Sequence, residues 1–552
     1  MSTAVTFPGT GRSAAAGGRS AVAGRFRTIA RAPAVPLAAV LALAASLRLV
    51  ALGRTPIDPF YAGAVRSMGL SWHNLLVGAY DPSARLAIDK APVDLWLQVA
   101  STKLLGFTPS AMLLPAALGG VAAVAALYDL LNTLAGRRVA LAGGLALAVL
   151  PISVLTARSD TMDSVMAALV VAAFAVAARA ARRGRARGMV LAGALLGLAF
   201  EAKLFEALIA APPLAALWWW GAAGTRMQRA SALAGAAVTC VLIGIAWLVA
   251  VTLLVPAAQR PWAFGSTNGS AWNSTFVYDG LDRLTGSPPI DAARAVPGKV
   301  PAGPGPLRLL SAQVDLGVRI GAELAIAWLA LAAATATRAF RRLDRLGRAG
   351  VASLALWLAL GTVVFSAQRD LRPRYLESFA PAVAACAALG LVLGAAVLGH
   401  RMAGRVPPYA QRGLAVAAVA ALLALPVAAS LGVVARHAED SGTPGALPAA
   451  RLDALSAYLR GSQDGARYEA AFFPVAEAGG VIAHDARPVL MLSALNHPLI
   501  GTAALQRLIA SGQVRAVVVG EARTPTARWV RAHGTDVTAA AGQLGVGKVY
   551  AF

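Results

Sequence analysis

Long apolar runs, separated alternately by short basic connections and longer polar ones, organise the chain. Runs near the ~20 residues that cross a hydrocarbon core predict transmembrane helices over 34–52, 109–131, 139–156, 162–180, 189–203, 204–221, 231–254, 318–336, 350–367, 376–397 and 412–435, about eleven in all. The pair 189–221 requires a tight turn around Glu201-Ala202-Lys203. Three parts fall outside this pattern. In 53–108, apolar residues recur at helical spacing (Trp72, Leu75, Leu76; Leu95, Trp96, Val99), which predicts amphipathic helices lying in the membrane interface. Segment 255–317 is rich in Pro, Gly, Ser and Asn, carries Trp262, Trp272 and Tyr278, and is long enough to be a functional lid. The tail from 436 mixes periods: Ala450–Leu459 and Thr502–Ser511 read as helices, and Val514–Val519, bounded by Gly512 and Gly520, reads as a buried strand.

Composition agrees with an integral membrane protein: 552 residues, 58% hydrophobic, 14% charged, mean hydropathy +0.64. The net charge of +24 comes from 50 basic and 26 acidic residues, and five of the basic ones are Lys. Arginines cluster at 12–31, 137–138, 182–187, 226–229, 338–348 and 401–412, in every second connection. The positive-inside rule makes those connections cytoplasmic, the N-terminus inside and the C-terminus outside a plasma membrane. Of seventeen acidic residues before position 439, only Asp129 and Asp344 fall on the cytoplasmic side. Nucleic-acid binding needs a soluble basic face, which this pattern lacks. Cys240 and Cys386 sit in apolar segments and indicate neither a disulfide framework nor a metal site. The division expected is a disordered cytoplasmic 1–33, a membrane unit 34–435 with an uncleaved first span, and an extracytoplasmic α/β domain 436–552.

The chemistry-bearing residues concentrate on the predicted outer side. The first loop reads Asp58-Pro59-Phe60-Tyr61-Ala62, then Asp89-Lys90-Ala91-Pro92 followed by Trp96-Leu97-Gln98; the fourth span opens with Arg158-Ser159-Asp160-Thr161-Met162-Asp163. Ionisable groups at a membrane boundary are costly unless they line a wet, functional cavity. Farther on come Gly197–Lys203, Ser266-Thr267-Asn268 with Tyr278–Gly286, and Pro373-Arg374-Tyr375 with Pro381.

In order and spacing these motifs resemble polyprenyl-phosphate-dependent glycosyltransferases of the GT-C superfamily, nearest to the bacterial protein O-mannosyltransferase-like proteins of family 39 and the lipid A aminoarabinose transferases. The chain departs from that pattern at Ala91, where Pro is usual, and in the sequence Ser159–Asp163. The resemblance implies an α-helical integral membrane protein with interfacial helices and a small C-terminal α/β domain. It also implies an enzyme, a hexosyl- or pentosyltransferase, moving a sugar from a polyprenyl-phosphate donor to an envelope glycan, lipid or protein.

Such a transfer needs a base for the acceptor hydroxyl and cations for the leaving phosphate. Asp58 is the first candidate base, with Asp163, Asp160 and Asp89 as the other catalytic candidates; the structural reading of Asp58 and Asp163 is a helix cap. Lys90, Arg374, Lys203, Arg158 and Arg372 are the candidate phosphate ligands. Glu201 and Glu206 are candidate partners of Lys203, whose structural reading is snorkelling. Tyr61, Asn268, Tyr278 and Tyr375 are candidates to line the donor or acceptor site. His73, His484 and His497 receive no role. No motif demands a cofactor or metal, although a divalent cation beside the phosphate is compatible with the acids. No Gly-rich nucleotide fingerprint follows a strand, which agrees with a lipid-linked donor. Two other classes remain: a transporter or flippase of lipid-linked glycans, for which the chain shows no internal repeat, and a non-catalytic glycan-binding scaffold.

The alternating arginine loops make a topology prediction. Cysteines placed near 185 and 345 should be protected from impermeant thiol reagents in intact cells, and cysteines near 285 and 460 should label. The reverse pattern would move the acidic loops to the cytoplasm.

Overall fold

The computed structural model describes residues 35–285, 303–311, 320–369, 371–402, 407–440, 446–495 and 497–552. The expected disordered tail 1–33, with its arginine cluster, and residues 286–302 of the long loop lie outside the described residues. The chain is mainly helical. Six helices are long and apolar enough to cross a membrane by length and composition: Val35–Arg54, Pro109–Ala135, Asp163–Arg183, Arg226–Gly244, Arg345–Ala367 and Ala417–Ala435. Gly321–Thr335 and Ala380–Ala395 are shorter apolar helices.

Other expected spans are interrupted. Residues 139–156 form Arg137–Ala148 and Pro151–Thr156. Pro151, at the first position of the second piece, lacks the N–H needed to continue the first. Residues 204–221 form Phe205–Leu208 and Ala211–Gly221. Residues 231–254 break at Ile245 (φ −111°, ψ 6°), giving Arg226–Gly244 and Ala246–Leu254. The helix Arg187–Lys203 ends at Leu204, whose φ of +56° is left-handed and strained for a branched side chain. That kink is the tight turn the sequence demanded, and it leaves Lys203 as the last residue of its helix.

Asp163–Arg183 is the central helix, packed between Pro109–Ala135 and Arg187–Lys203. Its Phe174 stacks on the fully buried Trp357 with centroids 4.6 Å apart, and the Trp357 indole N–H donates to the Ser378 carbonyl at 3.1 Å. Two buried arginines tie helix ends together. Arg48 donates to the carbonyls of Ala148 (2.9 Å) and Leu147 (3.3 Å) and to Ser153 Oγ (3.1 Å). Arg158 donates to the carbonyls of Arg48 (3.1 Å) and Val50 (2.9 Å) and to Thr55 Oγ1 (3.2 Å). Each satisfies carbonyls that a helix C-terminus leaves without an intrahelical partner. Gly120 makes room, because a Cβ there would lie 2.5 Å from Arg48 Nε.

The first loop folds as Pro59–Met68, Trp72–Val77 and Val93–Leu105. Trp72, Leu97, Leu104 and Leu105 are exposed apolar residues, the pattern of helices that lie on a bilayer. The long loop is joined to it by a parallel strand pair, Leu86–Ala87 with Trp262–Ala263.

Helices Ala449–Ser462 and Thr502–Ala510 and the strand Ala516–Val518 occupy the tail segments read as helical and strand-like. That strand lies in a five-stranded sheet ordered Leu490–Met491, Ala471–Phe472, Ala516–Val518, Val549–Ala551, Thr535–Asp536. Neighbours among the first three are parallel, and the last two pairings are antiparallel.

The tail builds one apolar cluster of its own, around Tyr468, Leu490, Val517 and Val530, and shares a second with the first loop. Leu455, Phe472, Val481 and Ile482 share one apolar cluster with Phe60, Tyr61, Val65 and Met68 of the first loop. The Tyr80 hydroxyl donates to the Val475 carbonyl. Helices Pro59–Met68 and Val475–Asp485 meet at Gly63 and Gly479, where a Cβ on Gly479 would lie 2.2 Å from the Pro59 carbonyl oxygen. Gly479→Leu should therefore push the tail off the first loop at a cost of about 1–3 kcal/mol. The expected outcome is a lower unfolding temperature in detergent and new protease cleavage near 436–448. An unchanged temperature and digest would show that this contact does not hold the two parts together.

Candidate active site

The first acid is fixed by a local rule. Asp58 precedes Pro59 and caps Pro59–Met68, its Oδ1 accepting from Phe60 N at 2.8 Å. It is buried, at 2% exposure, and its backbone N–H donates to Asp160 Oδ2 at 3.3 Å. Asp160 sits in the turn before the helix Asp163–Arg183. Burial, and then the charges of Asp58 and Asp94, push its carboxyl well above the usual carboxylate range. Asp94, one turn from Gln98 on Val93–Leu105, is also buried and accepts from Gln98 Nε2 at 3.0 Å. Burial raises it to about 7, with Gln98 opposing and Asp163 adding to the rise. Carboxylates gathered in a dry place cannot all ionise together.

Asp163, fully buried at the head of its helix, is paired: Lys203 Nζ lies 3.0 Å from its Oδ2. Lys203 also stands 5.4 Å from the ring centre of Tyr375. The glutamates expected to partner it are engaged otherwise or less closely. Glu201 Oε1 accepts from Trp247 N at 3.0 Å, and Glu206 contributes only its field.

A second cluster joins the first loop to the long loop. Lys90 Nζ is 2.7 Å from Asp89 Oδ2 and 4.0 Å from Asp279 Oδ2, and Asp279 Oδ1 accepts from Arg283 at 2.8 Å. Asp279 lies on a π-helical stretch, Ser274–Leu281, a conformation often found at functional sites. Ser274 Oγ is within hydrogen-bond distance of the carbonyls of Asp89 (2.8 Å) and Phe264 (2.7 Å), which holds that stretch against the first loop. Burial opposes both charges of the Asp89–Lys90 pair, but their attraction keeps Asp89 below and Lys90 above the ordinary value. Burial raises Asp279. The Arg283 guanidinium lies 5.0 Å from the ring centre of Tyr278.

Tyr61 connects the clusters. Lys90 Nζ is 5.9 Å from its ring centre, and its buried phenol feels Lys90, Asp89, Arg374 and Asp58. Arg374 stands on the segment Pro373–Ser378, its guanidinium 5.9 Å from the centre of Tyr375. Its backbone N donates to Asp440 Oδ2 at 2.8 Å, and its guanidinium bonds the Asp440 carbonyl. Arg372 is half-buried and adds its charge to the surroundings of Asp440.

The structure thus brings together Asp58, Asp160, Asp163, Asp89, Lys90, Lys203, Arg374, Tyr61, Tyr278 and Tyr375. Two expectations need correction. Arg158 is committed to carbonyls at the end of the first helix, so its charge serves the fold rather than a phosphate. Asn268 is exposed, and its Oδ1 accepts from Ser270 N at 3.0 Å, forming a turn rather than a site wall. Sequence reading overlooked Asp94, Asp279, Arg283 and Asp440. For Asp94 the signal was present: an acid four residues before Gln98, just after the Asp89-Lys90 motif. Among the described residues, no group of three or more His, Cys, Asp or Glu is arranged to hold a metal ion.

Removing one partner of a buried pair exposes the other to an uncompensated burial cost of about 3–5 kcal/mol. Lys203→Ala should lower the unfolding temperature strongly, and adding Asp163→Ala to it should restore much of the loss. Additive losses in the double variant would show that the two side chains do not act as a pair.

Residues 89–249 match the profile of the family described as dolichyl-phosphate-mannose-protein mannosyltransferase. YkcB and YycA of Bacillus subtilis strain 168, both named provisionally as mannosyltransferases, are 27% and 29% identical over 230 and 229 residues. Each match covers 42% of this chain and about a third of the relative, 32% and 33% of its length. Among solved structures, ArnT from Cupriavidus metallidurans bound to undecaprenyl phosphate aligns over 94% of this chain and 98% of its own, with a TM-score of 0.59 and 17% identity. The archaeal oligosaccharyltransferase AglB from Archaeoglobus fulgidus, in complex with an inhibitory peptide and a dolichol-phosphate, aligns over 88% of this chain and 69% of its own, with a TM-score of 0.55 and 12% identity. The chain therefore shares the fold of these two solved structures, and its segment 89–249 is similar in sequence to the dolichyl-phosphate-mannose-protein mannosyltransferases.

Proposed function

We propose that this protein is an integral-membrane glycosyltransferase that moves a sugar from a polyprenyl-phosphate donor to a hydroxyl of an envelope glycan, lipid or protein. In this reading the chain crosses the plasma membrane about eleven times, with its N-terminus in the cytoplasm and its tail outside. One observation carries the reading: a crowd of buried acids, Asp58, Asp94, Asp160 and Asp163, meets three cations, with Lys90 and Arg374 near Tyr61 and Lys203 between Asp163 and Tyr375. That arrangement supplies a base on one side and phosphate ligands on the other. The resemblance to mannosyltransferases supports it, as does the shared fold with a protein solved with undecaprenyl phosphate bound.

The acceptor oxygen attacks the anomeric carbon of the donor as its proton passes to Asp58. The bond from that carbon to the phosphate oxygen breaks, and polyprenyl phosphate leaves with one more negative charge than the donor carried. Lys90 and Arg374 offset that charge, in a setting where charge-assisted contacts are stronger than in water. Asp160, whose carboxyl burial and then the charges of Asp58 and Asp94 push up, accepts from the Asp58 backbone N–H and so holds the base in place. Asp163 fixes Lys203 at the same boundary. The exposed apolar residues of the interfacial helices keep the site at the level where the lipid phosphate resides. Mannose is the first sugar to test.

Asp58→Asn should reduce transfer from radiolabelled undecaprenyl-phosphate mannose to envelope acceptors by about 10²–10⁴-fold, with donor binding retained. Near-normal turnover in Asp58→Asn together with its loss in Asp163→Asn would exchange the two roles. A wild-type protein that transfers no hexose or pentose from any such lipid would overturn the proposed function.

A further inference from the structure

The acid crowd contains a feature that base catalysis and phosphate binding leave unused. Asp94 and Gln98 project from the same face of Val93–Leu105, one turn apart. Both are buried, at 1% and 2% exposure, and the Gln98 amide N–H donates to Asp94 Oδ2 at 3.0 Å. That bond uses one oxygen of the carboxylate and the nitrogen of the carboxamide. The two remaining oxygens, Asp94 Oδ1 and Gln98 Oε1, are buried without a hydrogen-bond partner. So is Asp160 Oδ1, beyond which Gln98 also stabilises the Asp160 carboxylate. An unsatisfied buried acceptor costs about 1–3 kcal/mol, and native proteins rarely leave several together. These two are acceptors held side by side by their mutual hydrogen bond. What satisfies them must present two adjacent donors.

We propose that Asp94 and Gln98 form a diol-binding subsite that holds two neighbouring hydroxyls of a sugar ring. The inference rests on the glycosyltransferase reading and deepens it by assigning the residues that recognise the sugar itself. Vicinal hydroxyls supply a matched pair of O–H donors, whereas a single serine or threonine hydroxyl supplies one. The two residues stand close to the acids of the candidate site: Asp94 lies in the fields of Asp163 and Lys203, and Asp160 lies in the field of Asp94. The environment also favours a neutral diol over an anion, because a further negative charge would meet four carboxyl groups. An amine-bearing partner would be bound as a cation, and the test separates the two. The ring comes either from the lipid-linked donor or from a glycan acceptor, and the chemistry of recognition is the same for both.

The full chain in nanodiscs is titrated with undecaprenyl phosphate, with undecaprenyl-phosphate mannose, and with a panel of methyl glycosides (α-mannoside, α-glucoside, α-arabinofuranoside), together with an amino-sugar glycoside. Asp94→Ala and Gln98→Leu should each leave the affinity for the bare lipid phosphate unchanged. Each should weaken, by about tenfold or more, binding of the mannosylated lipid if the donor ring occupies the subsite, or of a neutral glycoside if the acceptor ring does. Asp94→Asn, which keeps volume and one acceptor oxygen, should recover part of the loss. Unchanged affinity for every sugar-bearing probe would overturn the subsite. So would an equal loss for the bare lipid, tighter binding of the amino sugar than of its neutral counterpart, or a wild type that binds no glycoside and does not distinguish the mannosylated from the bare lipid. A wild type that binds neither lipid fails the preceding proposal, while the glycoside arm still decides this one.

Discussion

An acid placed in an apolar slab must either keep its proton or lie beside a cation, because the isolated charge costs more than the fold can supply. That constraint governs how this protein is built around its site. Asp163 heads the central helix and meets Lys203, which ends the adjoining one; the strained turn at Leu204 is what stops that helix at the lysine. Asp160 has no lysine within ion-pair distance among the described residues, and burial pushes its carboxyl well above the usual range. Asp89 takes Lys90, and Lys90 in turn brings in Asp279 from the distant loop. The architecture at this boundary is the solution of a charge-pairing problem, with helix breaks and loop closures where the pairing requires them.

The same slab penalises bare backbone groups, and the floor of the site shows how that is handled. The helix Val35–Leu49 and the helix Arg137–Ala148 both end with carbonyls that have no partner within the helix. Arg158 serves the first and Arg48 the second, each reaching across from another helix. A serine hydroxyl, Ser153, links Arg48 to Glu377 at 3.0 Å, so this support continues into the segment that presents Arg374 and Tyr375. Cations at the boundary thus divide into those that satisfy the backbone and those that face the acids. A guanidinium fork suits the former, since it can bond several carbonyls together.

Much of this was legible in the sequence, for physical reasons that differ by residue. Asp58 before Pro59 is both a cap signal and a boundary acid, so its position follows from local rules. The run Arg158–Asp163 interrupts apolar sequence, which marks it whatever the fold. Helical segments are legible because hydrophobic length is a one-dimensional property, although the breaks at Ile245 and Leu204 depend on packing that the pattern does not record. Partners across the fold are another matter. Lys203 sits two residues from Glu201 and three from Glu206, yet its counter-ion lies forty residues away, because the kink turns the lysine toward the neighbouring helix. Arg158 reads as a phosphate ligand by charge, and only the arrangement of helix ends reveals its carbonyl partners. Asp94 reads as one more polar position on an amphipathic helix, and its burial appears only when the loop closes against the central helices.

The bond between Arg374 and Asp440 sets a timetable. Asp440 follows the last apolar helix, and the tail beyond it completes the cluster that packs on Phe60 and Tyr61. The ribosome therefore delivers the first loop hundreds of residues before its packing partners exist. During that interval the acids of the first loop and of the helix Asp163–Arg183 have their near neighbours but lack the groups supplied by the tail. The packing around Phe60 and Tyr61 is therefore completed only after the apolar helices have been made, and a chain truncated after Ala435 would lack both that packing and the partner of Arg374.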